Sequence, residues 1–440
     1  MSEYAYPADL AAFVRERWRD LDHVEGAQTV LGGALPPPLQ LEQLLSVAYQ
    51  AALLRDEERP VSFRLVLAAP DAFPPDAGPP HGIHRLIFDT PRAFHPDELR
   101  RLSPAAKYHR SLIGVRQSES GVLEIWGVLH SGPRWLRAAD GGRGPGTVAL
   151  TEALVIRASG AGRLAVARGD DLVGELHGGK LSGPSMDVFG AKWLLERFIT
   201  NRDEIAALHQ SESMVASQKW AVLDPTLGRR ISQEMVKRMI ATIRSAHHGG
   251  AVIFLQAEDV GELRTDPNLL RMKYEFAEEE PRHRSRTLIL RALAAVAVAG
   301  AASGHVEPVG WSFYETAADP EISRVEEAMF EMAHTIAGFA DVDGAVVMTT
   351  RFELLGFGAE IGALADVHSV RRAKDVEGTR WEEESVLGVG TRHRSAYRFC
   401  HRFRRAVAIL VSQDGNVRFV AWHEGAVTVW DHASAGWVDT

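Results

Sequence analysis

Apolar residues recur at helical spacing twice near the start of the chain. Leu10, Phe13 and Trp18, set among charges, predict a short amphipathic helix from Asp9 to about Asp20. After Pro36-Pro37-Pro38 breaks the chain, Leu41, Leu44, Leu45, Ala48 and Ala52 predict a second helix over 39–54. From Val61 the pattern turns to strands, expected over 61–69, 85–88 and 122–129, with the proline-rich stretch 70–80 as loop. Between Ala153 and Leu181 the apolar runs 154–156, 163–166 and 172–176 are separated by Ser159-Gly160-Ala161-Gly162 and Gly169-Asp170, the glycine-bearing loops of antiparallel hairpins. A long helix over 185–209, with Ala191, Leu194, Leu195, Phe198 and Ile199 along one face, is expected to close this β-rich α+β domain, taken as 1–215.

The polar stretch 210–228 ends in Asp224-Pro225-Thr226-Leu227-Gly228, a boundary. Ser232 is the expected N-cap of a helix whose Val236, Met239, Ile240 and Ile243 form one stripe, ended by His247-His248-Gly249-Gly250 ahead of the buried strand 251–255. Helices follow over 288–302 and 321–339. Asp341-Val342-Asp343-Gly344 then turns the chain into the apolar strand Ala345-Val346-Val347-Met348, with 352–355 as its antiparallel partner ahead of the glycine-rich 356–361. A polar insert, 370–384, precedes a helix at 395–403 and closing strands at 407–411, 417–422 and 426–430. The expected fold class is α/β in the α+β sense: a C-terminal mixed sheet flanked by helices, 229–440, preceded by the separate β-rich domain.

Composition narrows the function classes. The 440 residues suggest two or three domains, and 45% hydrophobic with 24% charged residues is ordinary globular material. A net charge of -9 argues against a nucleic-acid-binding face, which needs a basic stripe. The single cysteine, Cys400, cannot form an intramolecular disulfide and suits a reducing compartment; between Phe399 and Phe403 it reads as a packed thiol. The start, Met1-Ser2-Glu3-Tyr4, lacks the basic and apolar regions of a signal peptide, and the apolar run 288–302, interrupted by Arg291, is too short for a bilayer of roughly 30 Å. The expectation is a cytoplasmic protein with neither membrane nor nucleic acid as partner.

Chemistry concentrates in two stretches. Gly390-Thr391-Arg392-His393-Arg394-Ser395-Ala396 gathers hydroxyl donors, two fixed charges and a titratable ring in one turn, suited to gripping a polyphosphate. Asp343-Gly344-Ala345 delivers a lone carboxylate at a strand start, with a glycine that permits close approach. By themselves these have plainer readings, since an aspartate there is commonly a turn former and an arginine pair a solvated face. Three other stretches carry less. Gly141-Gly142-Arg143-Gly144-Pro145-Gly146 lacks the Lys-Ser/Thr of a phosphate loop, His247-His248 suits a helix C-terminus, and Arg282-His283-Arg284 reads as an exposed charged turn. Trp126 and Trp135, although possible exposed aromatics, read as ordinary core residues.

Taken in order, these two stretches and the strand Ala408-Ile409-Leu410-Val411-Ser412, followed by Gln413-Asp414-Gly415, resemble the diadenylate cyclase family, the DisA nucleotide-binding domain superfamily. The likeness covers roughly 232–430. It implies condensation of two ATP into cyclic di-AMP and pyrophosphate with Mg²⁺ or Mn²⁺, by a homo-oligomer or transient face-to-face dimer. It implies Asp343 as the catalytic residue and a metal ligand, Asp414 as a second metal ligand, and nucleotide contacts from Gly344, Ala345, Ile361, Gly390, Thr391, Arg392, His393, Arg394, Ser395 and Ser412. Ala359 to Ile361 fall where the family forms its adenine pocket. One departure stands out: the family usually has Ser-Glu-Glu where this chain has Ser412-Gln413-Asp414, which leaves open a catalytically silent nucleotide sensor. The first half resembles the DACNV sensor domain that precedes some bacterial cyclase modules, and implies an unknown sensor ligand.

Overall fold

The computed structural model describes residues 4–18, 35–78, 83–108, 110–130, 153–169, 171–183, 186–246, 248–266, 268–362, 364–413 and 415–432. They divide into two compact units that meet in sequence between Gly183 and Met186. The fold class is mixed α/β of the α+β kind, with a separate large sheet in each unit and a short two-stranded ladder, 55–56 with 59–60, in the first.

The first unit has helices α1 (Pro7–Trp18), α2 (Pro38–Ala52) and α3 (Pro96–Leu102). Its strands are β1 (Phe63–Leu67), β2 (His84–Ala93), β3 (Ser111–Gln117), β4 (Leu123–His130), β5 (Leu154–Ala158), β6 (Arg163–Arg168), β7 (Asp171–His177) and β8 (Lys180–Ser182). They form one sheet in the order β8-β7-β6-β5-β1-β3-β4-β2, antiparallel except for the parallel β1/β3 pair. Leu10, Leu41, Leu44 and Leu45 of the helices bury against Phe63, Ile113, Ile125 and Ile156 of one face. On the other face Trp126 is buried and its indole N–H donates to the Ala68 carbonyl at 2.8 Å. A Cβ at Gly114 would come within 2.3 Å of that indole, so the ring needs a glycine beside it. Strand β3, absent from the sequence expectation, is broken by that glycine, which hides the run Leu112 to Val115. Trp135 and the glycine-rich stretch 141–146 lie outside the described residues.

The second unit opens with α4 (Lys192–Arg197), α5 (Ile199–Val215), α6 (Leu227–Ser245), β9 (Gly250–Leu255), α7 (Val260–Thr265) and β10 (Leu270–Glu275). It continues with α8 (Glu279–Ala302), α9 (Trp311–Thr316), α10 (Pro320–Phe339), β11 (Ala345–Thr349), β12 (Leu354–Ile361), β13 (Ser369–Ala373) and β14 (Trp381–Ser385). It ends with α11 (Thr391–Arg402), β15 (Val407–Val411), β16 (Val417–His423) and β17 (Ala426–His432). The mixed sheet runs β10-β12-β11-β9-β15-β16-β17-β13-β14, with β9/β11 and β13/β17 parallel. Alternation sorts its side chains. Ala251, Ile253, Val347, Ala408 and Leu410 pack with Ala396, Tyr397 and Phe399 of α11, while α6 and α8 also pack on the sheet and α10 packs on those two helices.

Several elements differ from the sequence expectation. The 185–209 helix is two, α4 and α5, and packs on the second sheet instead of closing the first unit: Gln256 donates to the Arg197 carbonyl at 3.1 Å, and Phe198 meets Phe254 at 5.5 Å. Helix α6 starts at Leu227, so Ser232 is not its cap; the Ser232 hydroxyl donates back to the Gly228 carbonyl at 2.8 Å. Arg282-His283-Arg284 is no turn but part of α8. That helix is long and apolar enough to cross a membrane by length and composition, yet 56% of its most apolar window is buried, against α6 and α10 among others. The polar insert is a hairpin, β13 and β14, added to β17 with Arg371 opposite Thr428. Only Val370 and Ala373 of β13 are buried, too few for an apolar pattern to announce a strand. Cys400 is fully buried, its thiol pushed up to about 12 by burial, as a packed and unreactive thiol should be.

Candidate functional site

Register brings the two chemical stretches to one end of the second sheet. In the parallel pair β9/β11, Val252 stands opposite Val346, which sets Gly250 level with Gly344. In the antiparallel pair β9/β15, Gly250 stands opposite Val411, so Ser412 leaves the sheet at the same end. Ala345 pairs with Ala359 on β12, which sets Ile361 level with Asp343. Two strand spacings, roughly 10 Å, therefore separate the Asp343-Gly344 backbone from Ser412, with the Gly249-Gly250 turn between them.

Gly344 has φ +120°, and a Cβ there would lie 2.5 Å from the Gly358 carbonyl carbon. Glycine is required for β11 to enter the sheet against β12. The exposed Asp343 that precedes it stands near Lys273 of β10, whose ammonium pairs with Glu360 at 2.8 Å. The hydrogen bond that Lys273 donates to Glu360, joined by the Glu360 and Asp343 charges, raises the Lys273 pKa. Sequence reasoning placed Glu360 in the adenine-pocket stretch 359–361 but missed Lys273 and the pairing of the two: they are 87 positions apart, and only the β10/β12 pairing makes them neighbours.

The Gly-Thr-Arg-His-Arg stretch is not a turn ahead of a helix; it is the first turn of α11. Gly390 is the N-cap, without a side-chain cap, and Thr391 is the first helical residue. The first amides of a helix have no intrahelical acceptor and attract anions. Successive residues are turned by about 100° around the axis, so the side chains of Thr391, Arg392, His393 and Arg394 fan out. Arg392 reaches the sheet end: its Nη1 lies 3.1 Å from where a Gly249 Cβ would be, as does the Gln413 amide nitrogen. Thr391 and Arg394 are exposed, and Ser395 is half-buried. Ser412 holds the β15–β16 turn, its Oγ accepting from the Asn416 amide at 3.0 Å.

His393 faces elsewhere. Burial, then the Arg418 and Arg392 charges, lower its pKa against the opposing pull of Glu384 and Asp431, so the ring is neutral near pH 7. Those groups form a network: Arg418 bonds Glu384 at 3.0 Å and Asp431 at 2.8 Å, and Arg372 bonds Asp431 at 2.7 Å. Burial works against the Arg418 charge, but the two carboxylates outweigh it and hold its pKa above the ordinary value. No local signal marked Arg418, Glu384 and Asp431, which come from three strands.

Among the described residues no three His, Cys, Asp or Glu side chains gather as a metal cage. An exposed carboxylate near a helix N-terminus still fits Mg²⁺ or Mn²⁺, hard cations that are commonly held by one or two carboxylates plus substrate phosphates. Asp414, the other expected ligand, lies outside the described residues.

The first unit has its own likeness. Residues 32–130 match a family described as a probable sensor domain, DACNV. The match takes in α2, β1, β2, α3, β3 and β4, the half of the first sheet that includes the parallel β1/β3 pair. No curated protein matches the chain.

Proposed function

We propose that the second unit is a diadenylate cyclase and that the DACNV segment makes the first unit its sensor. The observation that carries this reading is the convergence of the Asp343-Gly344 strand entry and the N-terminus of α11 on either side of the Gly249-Gly250 turn. A carboxylate and an anion-binding helix end at that separation can attend the two ends of one reacting phosphate ester. The α-phosphate of ATP lies on the α11 amides and Arg392, and the ribose 3′-hydroxyl of a second ATP approaches Asp343.

The 3′-oxygen forms a bond to the α-phosphorus as the bond to the β-phosphate oxygen breaks, and pyrophosphate leaves. Asp343 accepts the hydroxyl proton. Repeating the step on the second ester closes the ring, so two ATP give one cyclic di-AMP and two pyrophosphates. Asp343 would hold Mg²⁺ or Mn²⁺, which would supply charge neutralisation for the phosphates. One site per chain and two symmetric reactants call for two chains face to face.

Gln413 favours a second reading, a nucleotide sensor without turnover, because an amide stands where the family has an acidic group. Incubating the purified protein with ATP and Mn²⁺ and analysing the mixture by mass spectrometry separates the two. Cyclic di-AMP supports the cyclase; ATP bound but unchanged supports the silent sensor; neither binding nor product overturns both. In the same protein Arg392→Ala is expected to weaken ATP binding about tenfold to a hundredfold, the size of a lost charge-assisted hydrogen bond, whereas Arg398→Ala, on the same helix but paired with Asp366, leaves it unchanged. Calorimetric titration of ATP reads both, and equal affinities would remove Arg392 from the phosphate site.

A further inference from the structure

The second unit also contains a cavity of about 580 Å³, within the roughly 300–1,000 Å³ of small-molecule sites. It lies on the sheet face opposite α11. Phe254, Val407, Ile409 and Phe419 of the sheet, with Val236 of α6 and Leu293 of α8, make it largely apolar. Phe254 pairs with Val407 at the end of β9 and β15 away from Gly250 and Val411, so the cavity is separate from the candidate nucleotide site.

Facing this apolar wall is a stripe of α5. Asn201, Ile205 and His209 follow one another at four-residue spacing, which puts them on one side of the helix, and all three line the cavity. Asn201 is only 4% exposed, and its amide oxygen, buried, has no hydrogen-bond partner among the described residues. The Nδ1 of His209 is likewise buried without one. A buried acceptor left without a donor is unfavourable, and burial lowers the His209 pKa, so that ring brings no charge. Two arginines also line the cavity: Arg202 bonds Asp203 at 3.0 Å, and Arg229, whose Nε is buried without a partner, stands close enough to Asp224 of the same lining to help lower that carboxylate's pKa. The lining thus offers apolar surface and a vacant acceptor, and each of its arginines has a carboxylate nearby.

We infer that this cavity binds an uncharged, largely apolar small molecule with one hydrogen-bond donor, its body against Phe254, Ile409 and Phe419 and its donor on the Asn201 amide oxygen. This site does not depend on the cyclase reading. N-phenyl-1-naphthylamine, an uncharged aromatic amine with a single N–H, is a direct probe, and Trp220, whose ring lies 4.8 Å from His209 and which lines the cavity, can transfer energy to it.

With the full-length protein, titration is expected to give a saturable signal at about one probe per chain, and the sulfonated relative 8-anilino-1-naphthalenesulfonate to bind at least about tenfold more weakly because no free cation awaits it. Asn201→Leu, which keeps the volume and removes the acceptor, is expected to weaken the amine about tenfold without lowering the melting temperature. Ala206→Trp, which fills the cavity from α5, is expected to abolish the saturable signal. Absence of saturable binding by the wild-type protein, tight binding of the sulfonate, or wild-type affinity in Asn201→Leu would each overturn the inference. The last holds even if the tryptophan variant does not fold.

Discussion

Asp343→Asn is expected to reduce cyclic di-AMP formation roughly 10³-fold, in the range found when a general base is removed, while ATP still binds. The asparagine keeps the size and the turn-forming character of the residue, so Gly344 can enter β11 as before and the sheet end is preserved. What is lost is the charge that takes the 3′-hydroxyl proton and helps to hold the metal. Asp341→Asn, two residues earlier in the same exposed loop, serves as the control and is expected to leave turnover unchanged. A quantitative assay of cyclic dinucleotide, run beside an ATP titration, reads both effects. Wild-type turnover in Asp343→Asn would remove the aspartate from the chemistry. Loss of ATP binding together with turnover would show that it positions the nucleotide instead.

Acidification is expected to destabilise the second unit through His432, by about 3 kcal/mol between pH 6.5 and pH 4. The ring is packed edge-on against Phe189 and Phe419, each at 5.2 Å between centroids, and its Nδ1 lies 3.0 Å from the Met186 carbonyl oxygen. Burial, reinforced by the Lys237 and Arg244 charges and only partly offset by Asp187 and that carbonyl, pushes its pKa down from 6.5 to about 4. The fold therefore favours the neutral ring. The stabilisation is complete above the unfolded pKa of 6.5, and it is lost as pH falls through that window toward 4, where the unfolded chain takes up the proton first. His393 acts in the same direction. Denaturant midpoints measured from pH 7.5 to 4 for the wild type and for His432→Phe isolate the effect, since phenylalanine fits between two aromatic rings and does not titrate. Equal pH slopes in the two proteins would exclude His432 as the acid-sensitive group.

The strands around the candidate site were legible because they are short, apolar and bounded by turn residues. Ala345 to Met348 after Asp-Gly and 407–411 before Ser412 follow from local pattern, whereas the antiparallel partner expected over 352–355 is Leu354–Ile361 and runs through the glycine-rich stretch, whose glycines hide it. The edge hairpin of β13 and β14 was not legible either, because a strand with charged residues on its open face lacks the apolar run by which strands are recognised. The helix over 185–209 was visible as helix, but its partner was not: an apolar stripe says that a face is buried and not against which sheet.

The sequence by itself determined that a carboxylate precedes one buried strand, that a Gly-Thr-Arg-His-Arg stretch adjoins a helix, and that the chain carries two bodies of different strand content, because periodicity, glycine and proline act on near neighbours. Only the tertiary structure decided that these residues come to the same end of the second sheet, that Arg392 turns toward the Gly249 turn while His393 turns toward Arg418, that Lys273 stands near Asp343, and that Asn201 faces a cavity with an acceptor to spare. Strand register and helix rotation are set by contacts between residues tens to hundreds of positions apart. A shift of one residue in either would re-aim every one of those side chains.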